Sequence, residues 1–342
     1  MALKIDERLA ERHATPFFTG LRGMAPTMEI GAMEPMEPAS KAVGLGLRAL
    51  PSRRVGLAAA AMLLAAGGLS AGWASLGTQQ RKWIFQATPV PAANADDLAA
   101  VARAEDMDSV WIDHVSPSTG RKIRLHALYA ANADPKAPLM LFLHGARQYL
   151  GRSVFRIEQM RELGFSVLAI DYRGFGASTD ELPSEAGVVE DAAAAWHWLG
   201  ERHPESARYV FGHSLGGAIA VQLAARLADQ PEEAGPRGVI VEGTFTSIRD
   251  MFGTFKYGWL PISMLITERF DSLATVPRIK APLLVVHGSD DSLVPSRFGR
   301  LLYERATAAK RFLLIEGGTH TTTSWRGAEQ YRAALREFFG LG

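Results

Sequence analysis

Tyr209-Val210-Phe211-Gly212-His213-Ser214-Leu215-Gly216-Gly217 is the stretch whose reading decides the fold of this chain. An apolar run of strand type, Tyr209 to Phe211, passes through Gly212-His213-Ser214-Leu215-Gly216 into a helical pattern from Leu215 to Asp229. This is G-x-S-x-G in a strand, turn, helix setting, the nucleophile elbow. Glycines two before and two after the serine are needed because the strand turns sharply into the helix, leaving no room for a Cβ where the turn crosses itself. The turn lifts the Ser214 hydroxyl above the strand ends. There it meets the unpaired amides of a helix N-terminus, so the Leu215 N–H and the helix dipole favour a developing negative charge.

Outward from the elbow, the hydrophobic period switches repeatedly. Apolar runs suited to buried parallel strands occur at Leu139 to Leu143, Ser166 to Ile170, Tyr209 to Phe211, Val239 to Val241, Leu283 to Val286 and Phe312 to Ile315. Helical patterns lie between most of them, notably Glu185 to Arg202, Leu215 to Asp229, Ser296 to Thr307 and Trp325 to Phe339. Upstream, Trp111 to Ser116 and Ile123 to Tyr129 flank Pro117-Ser118-Thr119-Gly120 and read as a hairpin. Together these predict one α/β domain over 105–342: eight strands in a mostly parallel sheet, with helices on both faces.

A serine hydroxyl is a poor nucleophile at neutral pH, so it needs a base, and the base needs an orienting acid. In this strand, turn, helix architecture both follow the serine in the chain. Two histidines qualify. His287 closes a strand and is expected to be structural, whereas His320, in the loop Gly317-Gly318-Thr319-His320, can swing an imidazole over the sheet edge. For the acid, Asp290 and Asp291 in Ser289-Asp290-Asp291-Ser292 both qualify, with Glu242, at the end of the preceding strand, as a third candidate or a loop-capping residue. The second oxyanion donor is expected in His144-Gly145-Ala146-Arg147, where Gly145 lets the backbone turn and the Ala146 N–H faces the reacting carbonyl. Arg147 either selects an anionic substrate group or makes a surface ion pair.

Composition removes several classes of function. With 47% apolar and 21% charged residues the chain is a folding one, and 37 basic against 36 acidic side chains leave no electrostatic footprint for a nucleic-acid partner. The absence of cysteine excludes a Cys nucleophile, thiolate metal sites and disulfides. No metal cluster, cofactor motif or phosphate loop is expected; Gly174-Phe175-Gly176 lacks the third glycine of a dinucleotide site.

The N-terminal part is organised differently. Residues 1–54, punctuated by Met, Pro and Gly, read as a flexible tail. Residues 55–76 carry no charge over 22 positions, and as a helix they would reach about 33 Å, enough to span a bilayer core of ~30 Å. Lys41, Arg48, Arg53 and Arg54 precede them and Arg81 and Lys82 follow, which predicts a single-pass anchor with the catalytic domain on the non-cytoplasmic side. The alternatives are a cleaved export signal, either near Gly72-Trp73-Ala74 or of the twin-arginine kind at Ser52-Arg53-Arg54, and a buried helix of a soluble domain. Residues 77–104 are expected to be a linker.

With these residues in hand, the chain resembles the α/β-hydrolase family from about residue 81 to 342. Asp171-Tyr172-Arg173-Gly174-Phe175-Gly176-Ala177-Ser178 is similar to the segment that packs beside the family's active site, which implies a structural Arg173. His287-Gly288-Ser289-Asp290-Asp291-Ser292-Leu293-Val294-Pro295 resembles the family's H-G-x-x-D-x-x-V-P, and this resemblance favours Asp291 over Asp290. Gln80-Arg81-Lys82-Trp83-Ile84-Phe85 looks like a membrane-anchored branch related to the bud-emergence proteins and protein depalmitoylases. Ala146-Arg147-Gln148, where those relatives often carry Asn-rich sequence, departs from that branch. The resemblance implies a serine hydrolase that cleaves a carboxylic ester or thioester through an acyl-enzyme. The triad would be Ser214, His320 and Asp291, with the amides of Ala146 and Leu215 as oxyanion hole. An amidase or aminopeptidase of the same fold, or a silent binding scaffold, are the rivals. Between the sixth and seventh strands a short cap is expected over Phe245 to Lys280. Its Phe252, Phe255, Tyr257, Trp259, Leu260, Met264, Leu265 and Ile266 either pack it on the core, line an acyl pocket or face a membrane.

Overall fold

Five consecutive strands with every residue buried make the centre of the sheet: β3 (Leu139–Leu143), β4 (Ser166–Ile170), β5 (Arg208–His213), β6 (Gly238–Glu242) and β7 (Leu283–Gly288). A strand covered on both faces reads as an unbroken apolar run, which is why these were visible in the sequence. The computed structural model describes residues 75–87, 89, 106–230, 232, 234–254 and 265–341. With β1 (Asp108–Val115), β2 (Lys122–Ala130) and β8 (Lys310–Ile315) the sheet has eight strands in the order β1-β2-β4-β3-β5-β6-β7-β8. β2 pairs antiparallel with both β1 and β4, and the remaining pairs are parallel.

Alternate residues of each strand feed two cores. Leu141 and Leu143 point to one, shared with α2 (Glu185–Arg202), α3 (Leu215–Ala228) and α6 (Ser296–Arg305); Met140 and Phe142 point to the other, under α1 (Leu150–Glu162) and α8 (Ala328–Phe339). The expected architecture, helices on both faces of a mostly parallel sheet, is what forms. Two differences have physical causes. The single helix expected over Trp325 to Phe339 is divided at Gly327 into α7 (Thr323–Arg326) and α8. Helix α1 showed no helical period in the sequence because Ser153 and Arg156 share its buried face with Leu150, Ile157 and Met160.

The cap between β6 and β7 is short and rests on the core through Phe245, Ile248, Phe270, Val276 and Ile279, with α4 (Ile248–Gly253) and α5 (Ser272–Thr275) as its helices. Of its expected apolar face, Phe255, Tyr257, Trp259, Leu260 and Met264 lie outside the described residues, Phe252 is half-buried, Ile266 packs on the core and Leu265 is exposed. Arg173 is buried against Asp191, Glu190 and Glu181, a structural placement.

The tail expected over 1–54, and the span expected over 55–76 apart from its last two residues, lie outside the described residues. Residues 75–85, which overlap the expected linker, are helical, and Leu76–Gly342 form one compact unit. Ile84 and Phe85 enter the core, the Phe85 ring meets Phe270 edge-on at 5.8 Å, and Gln80 bonds to Leu265 and Thr267 of the cap. The compact unit therefore begins well before residue 105.

Candidate active site

Ser214 sits between β5 and α3 with φ 56° and ψ −119°, a conformation that costs a residue with a Cβ on the order of 1–3 kcal/mol. The surroundings hold it there. Its N–H donates to the Glu242 carbonyl at 2.9 Å, and its own carbonyl accepts from Thr244 Oγ1 at 2.8 Å. The glycines of the elbow are sterically required: a Cβ on Gly212 would lie 2.1 Å from the Gly216 carbonyl oxygen, and one on Gly216 would lie 2.0 Å from that of Leu143.

His320 lies in the loop after β8, half-buried, with Nδ1 2.8 Å from Asp291 Oδ2. The other oxygen of Asp291 accepts the amides of Leu293 and Val294 at 3.0 and 2.8 Å, and His287 Nε2 stands 3.5 Å from Oδ2. Burial by itself would raise this carboxyl. The contacts from His287 and His320, the charge on His320 and the Val294 amide outweigh it, and the group is held well below the usual carboxylate range. Asp291 is thus an anion whose lone pairs are already directed, the state needed to fix an imidazole tautomer. Asp290 is exposed and bonded to Ser289. Glu242 turns away from His320, pairing with Arg156 Nη1 at 2.6 Å and accepting from the Tyr331 hydroxyl at 2.5 Å. Of the three acid candidates, the structure brings Asp291 alone to His320. His287 donates to the Val294 carbonyl at 2.8 Å and supports the acid loop, a structural role.

The loop after β3 closes on the elbow. A Cβ on Gly145 would lie 3.2 Å from Ser214 Cβ, so glycine is what allows this approach. The next amide, Ala146 N–H, and the Leu215 N–H at the start of α3 have no hydrogen-bond partner among the described residues. Arg147 takes φ 62° and donates its amide to the Phe85 carbonyl at 3.2 Å, which ties the loop after β3 to the segment 75–85. His213 joins the elbow to the base: its ring centroid is 4.8 Å from that of His320, and its Nε2 is 2.9 Å from the His320 carbonyl oxygen. The Ser214 hydroxyl and the His320 imidazole are not hydrogen-bonded among the described residues, as is common for a serine and base before substrate arrives. Sequence reasoning missed the parts played by Arg156 and Tyr331, which belong to no pattern, and by His213, which stands at a variable position of the elbow motif; their hydrogen-bond partners lie 86 to 168 residues away.

Among the described residues no group of three or more His, Asp and Glu side chains is arranged to hold a metal ion, and no helix is long and apolar enough to cross a membrane.

A serine at a strained strand-to-helix turn, on an eight-stranded sheet of this order, defines the class: a serine hydrolase. The family description "Serine aminopeptidase, S33" matches residues 134–272. An uncharacterized protein of Mycobacterium tuberculosis, MT2364, is 30% identical over 301 residues, covering 85% of this chain and 95% of that protein. The lysophosphatidylserine lipase ABHD12 of Gallus gallus is 30% identical over 226 residues, covering 60% of this chain and 58% of the lipase, so the chain spans little more than half that relative's length. Among solved structures, the Pyrococcus furiosus esterase Pf2001 superimposes with a TM-score of 0.56 at 18% identity, over 70% of this chain and 94% of the esterase, a likeness of fold. The chain belongs to the α/β-hydrolase family. These matches establish the family and not the narrower bud-emergence and depalmitoylase branch read from Gln80 to Phe85.

Proposed function

We propose that this chain hydrolyses a lipid-like carboxylic ester or thioester through an acyl-enzyme. The observation that carries the reading is the 2.8 Å contact of His320 Nδ1 with Asp291 Oδ2 beside the Ser214 elbow. Ser214 Oγ attacks the substrate carbonyl while His320 Nε2 takes its proton. Asp291 holds the tautomer and stabilises the imidazolium. The amides of Ala146 and Leu215 receive the oxyanion, and their having no partner among the described residues supports that role. The imidazolium then protonates the leaving alcohol or thiol, and water, activated by the same histidine, releases the acid. This chemistry draws on no cofactor.

The lipid-like substrate class is supported by the vertebrate relatives, which are named as lysophosphatidylserine lipases. An amidase or aminopeptidase is the second reading, favoured by the description of the matching family. Fluorophosphonate labelling, followed by a chain-length series of nitrophenyl esters set against short peptide amides, tests both. Labelling is expected in the parent and lost in Ser214→Ala, with long-chain esters turned over faster than amides. Labelling that survives the substitution would sink the nucleophile assignment, and preferred cleavage of amides would transfer the reading to the second class. The anchor proposed over 55–76 is read in the same experiment: labelled full-length chain released without detergent would remove it.

A further inference from the structure

Two buried charges next to the site are not part of the triad. Arg156 on α1 is 2% exposed and Glu242 at the end of β6 is fully buried. An ion pair in such a place costs several kcal/mol of desolvation per ion, and well-packed apolar residues are often no less stable there. Stability alone therefore gives weak reason for this pair. Its geometry gives another. Arg156 Nη1 is held by Glu242 Oε1 at 2.6 Å, and Glu242 Oε2 is in turn held by the Tyr331 hydroxyl at 2.5 Å. Burial, and after it the charge of Glu242, push the Tyr331 phenol well above its ordinary value, so it stays a donor. With its orientation fixed by Glu242, the guanidinium gives two further N–H groups to one segment: Nη2 donates to the Thr321 carbonyl at 3.1 Å and Nη1 to Ser324 Oγ at 3.1 Å. One turn further along α1, Gln159 Nε2 donates to the Ser324 carbonyl at 2.7 Å.

His213 completes the grip. Burial, the Arg156 charge and His320 push its imidazolium well below the ordinary histidine range, so the ring is neutral. A neutral ring nitrogen 2.9 Å from the His320 carbonyl oxygen carries the proton and donates it; the 3.4 Å approach of Arg156 Nη2 to the same nitrogen is then a contact between two donors. The carbonyls of His320 and Thr321, consecutive in the chain, are thus both held from below, while Asp291 holds the imidazole from the side. Upstream of His320 the loop is tied by the Gly317 amide to Ser289 Oγ at 2.8 Å and by the Gly318 amide to the Ile315 carbonyl at 3.1 Å, so that Arg156 and His213 supply the hold at 320 and 321 themselves.

We propose that Arg156, locked by Glu242, is a positioning residue that sets the height of the 320–324 segment and with it the reach of His320 Nε2 to Ser214. The proposal rests on the triad reading above. A single ammonium at this position neutralises Glu242 but cannot hold Glu242, Thr321 and Ser324 in one plane, which the guanidinium fork does.

Two variants test it: Arg156→Lys, and Arg156→Met combined with Glu242→Gln, which removes both charges and leaves an acceptor for Tyr331. The readouts are thermal melting, kcat and KM on a nitrophenyl ester, the rate constant of fluorophosphonate inactivation, and the far-downfield proton signal of the His320 Nδ1–H shared with Asp291. Displacement of a catalytic group by about 1 Å costs on the order of 100-fold. We expect kcat and the inactivation rate constant to fall by about that factor in both folded variants, KM to move by less than roughly threefold, and the downfield signal to shift or broaden. Variants that fold and keep kcat and inactivation within about threefold of the parent overturn the positioning role, as does a loss carried by KM. Failure of both variants to fold overturns it too, since the pair would then be a folding element. A parent protein that takes no label overturns the triad reading, and this proposal with it.

Discussion

At the scale of single residues, Asp291 shows how hydrogen bonds overcome burial. Its folded carboxyl titrates below the value near 3.9 of an unfolded chain, so the stability it contributes is complete above that value and is lost as pH falls toward the folded one. Asp291→Asn removes this contribution, and the stability gap between parent and variant should therefore narrow between pH 6 and pH 3. Urea midpoints at the two pH values measure it; a gap that stays constant would mean that the carboxyl is not depressed. The same substitution should lower kcat on the order of 10⁴-fold, because an amide at this position permits the wrong imidazole tautomer.

At the scale of elements, the elbow joins β5 to α3 by backbone contacts that leave no volume for a methyl group. Gly216→Ala would drive a Cβ into the Leu143 carbonyl on β3, and backbone on both sides cannot yield as a flexible side chain would. The expected cost is about 3 kcal/mol or more, toward the upper end for overpacked sites. Chemical denaturation checks this, and a loss under about 1 kcal/mol would mean that the crossing is looser than described. Helix α1 carries the complementary lesson. Its inner face is where a charged side chain does the work that an apolar one does elsewhere, so its period was hidden. The elbow was legible because backbone sterics demand particular residue types at particular spacings; α1 was not, because Arg156 is buried only by virtue of Glu242, a partner 86 residues away.

At the scale of the whole molecule, the segment 75–85 is part of the catalytic unit. It fills a slot with Phe85, and the Phe85 carbonyl takes the Arg147 amide of the loop after β3. Phe85→Ala should cost about 3–5 kcal/mol, the usual range for emptying a buried aromatic site. It should also lower kcat, by loosening the loop that presents the Ala146 amide. Urea unfolding with matched kinetics reads both effects. A cost below about 1 kcal/mol would return this segment to the status of a linker.

The sequence by itself determined the class of fold and the candidates for nucleophile, base and acid. Strands buried on both faces must be apolar throughout, a sharp strand-to-helix turn must be made of glycine around its serine, and chain order then limits the partners. The tertiary structure decided what depends on contact across the chain. It brought Asp291 to His320, 29 residues apart, and not Asp290 or Glu242. It drew Phe85 into the core, and it placed Arg156 under Thr321 and Ser324, 165 and 168 residues away. Local periodicity and sterics act between near neighbours and are written into residue order. The pairing of buried charges is settled only when packing removes water from both partners at once.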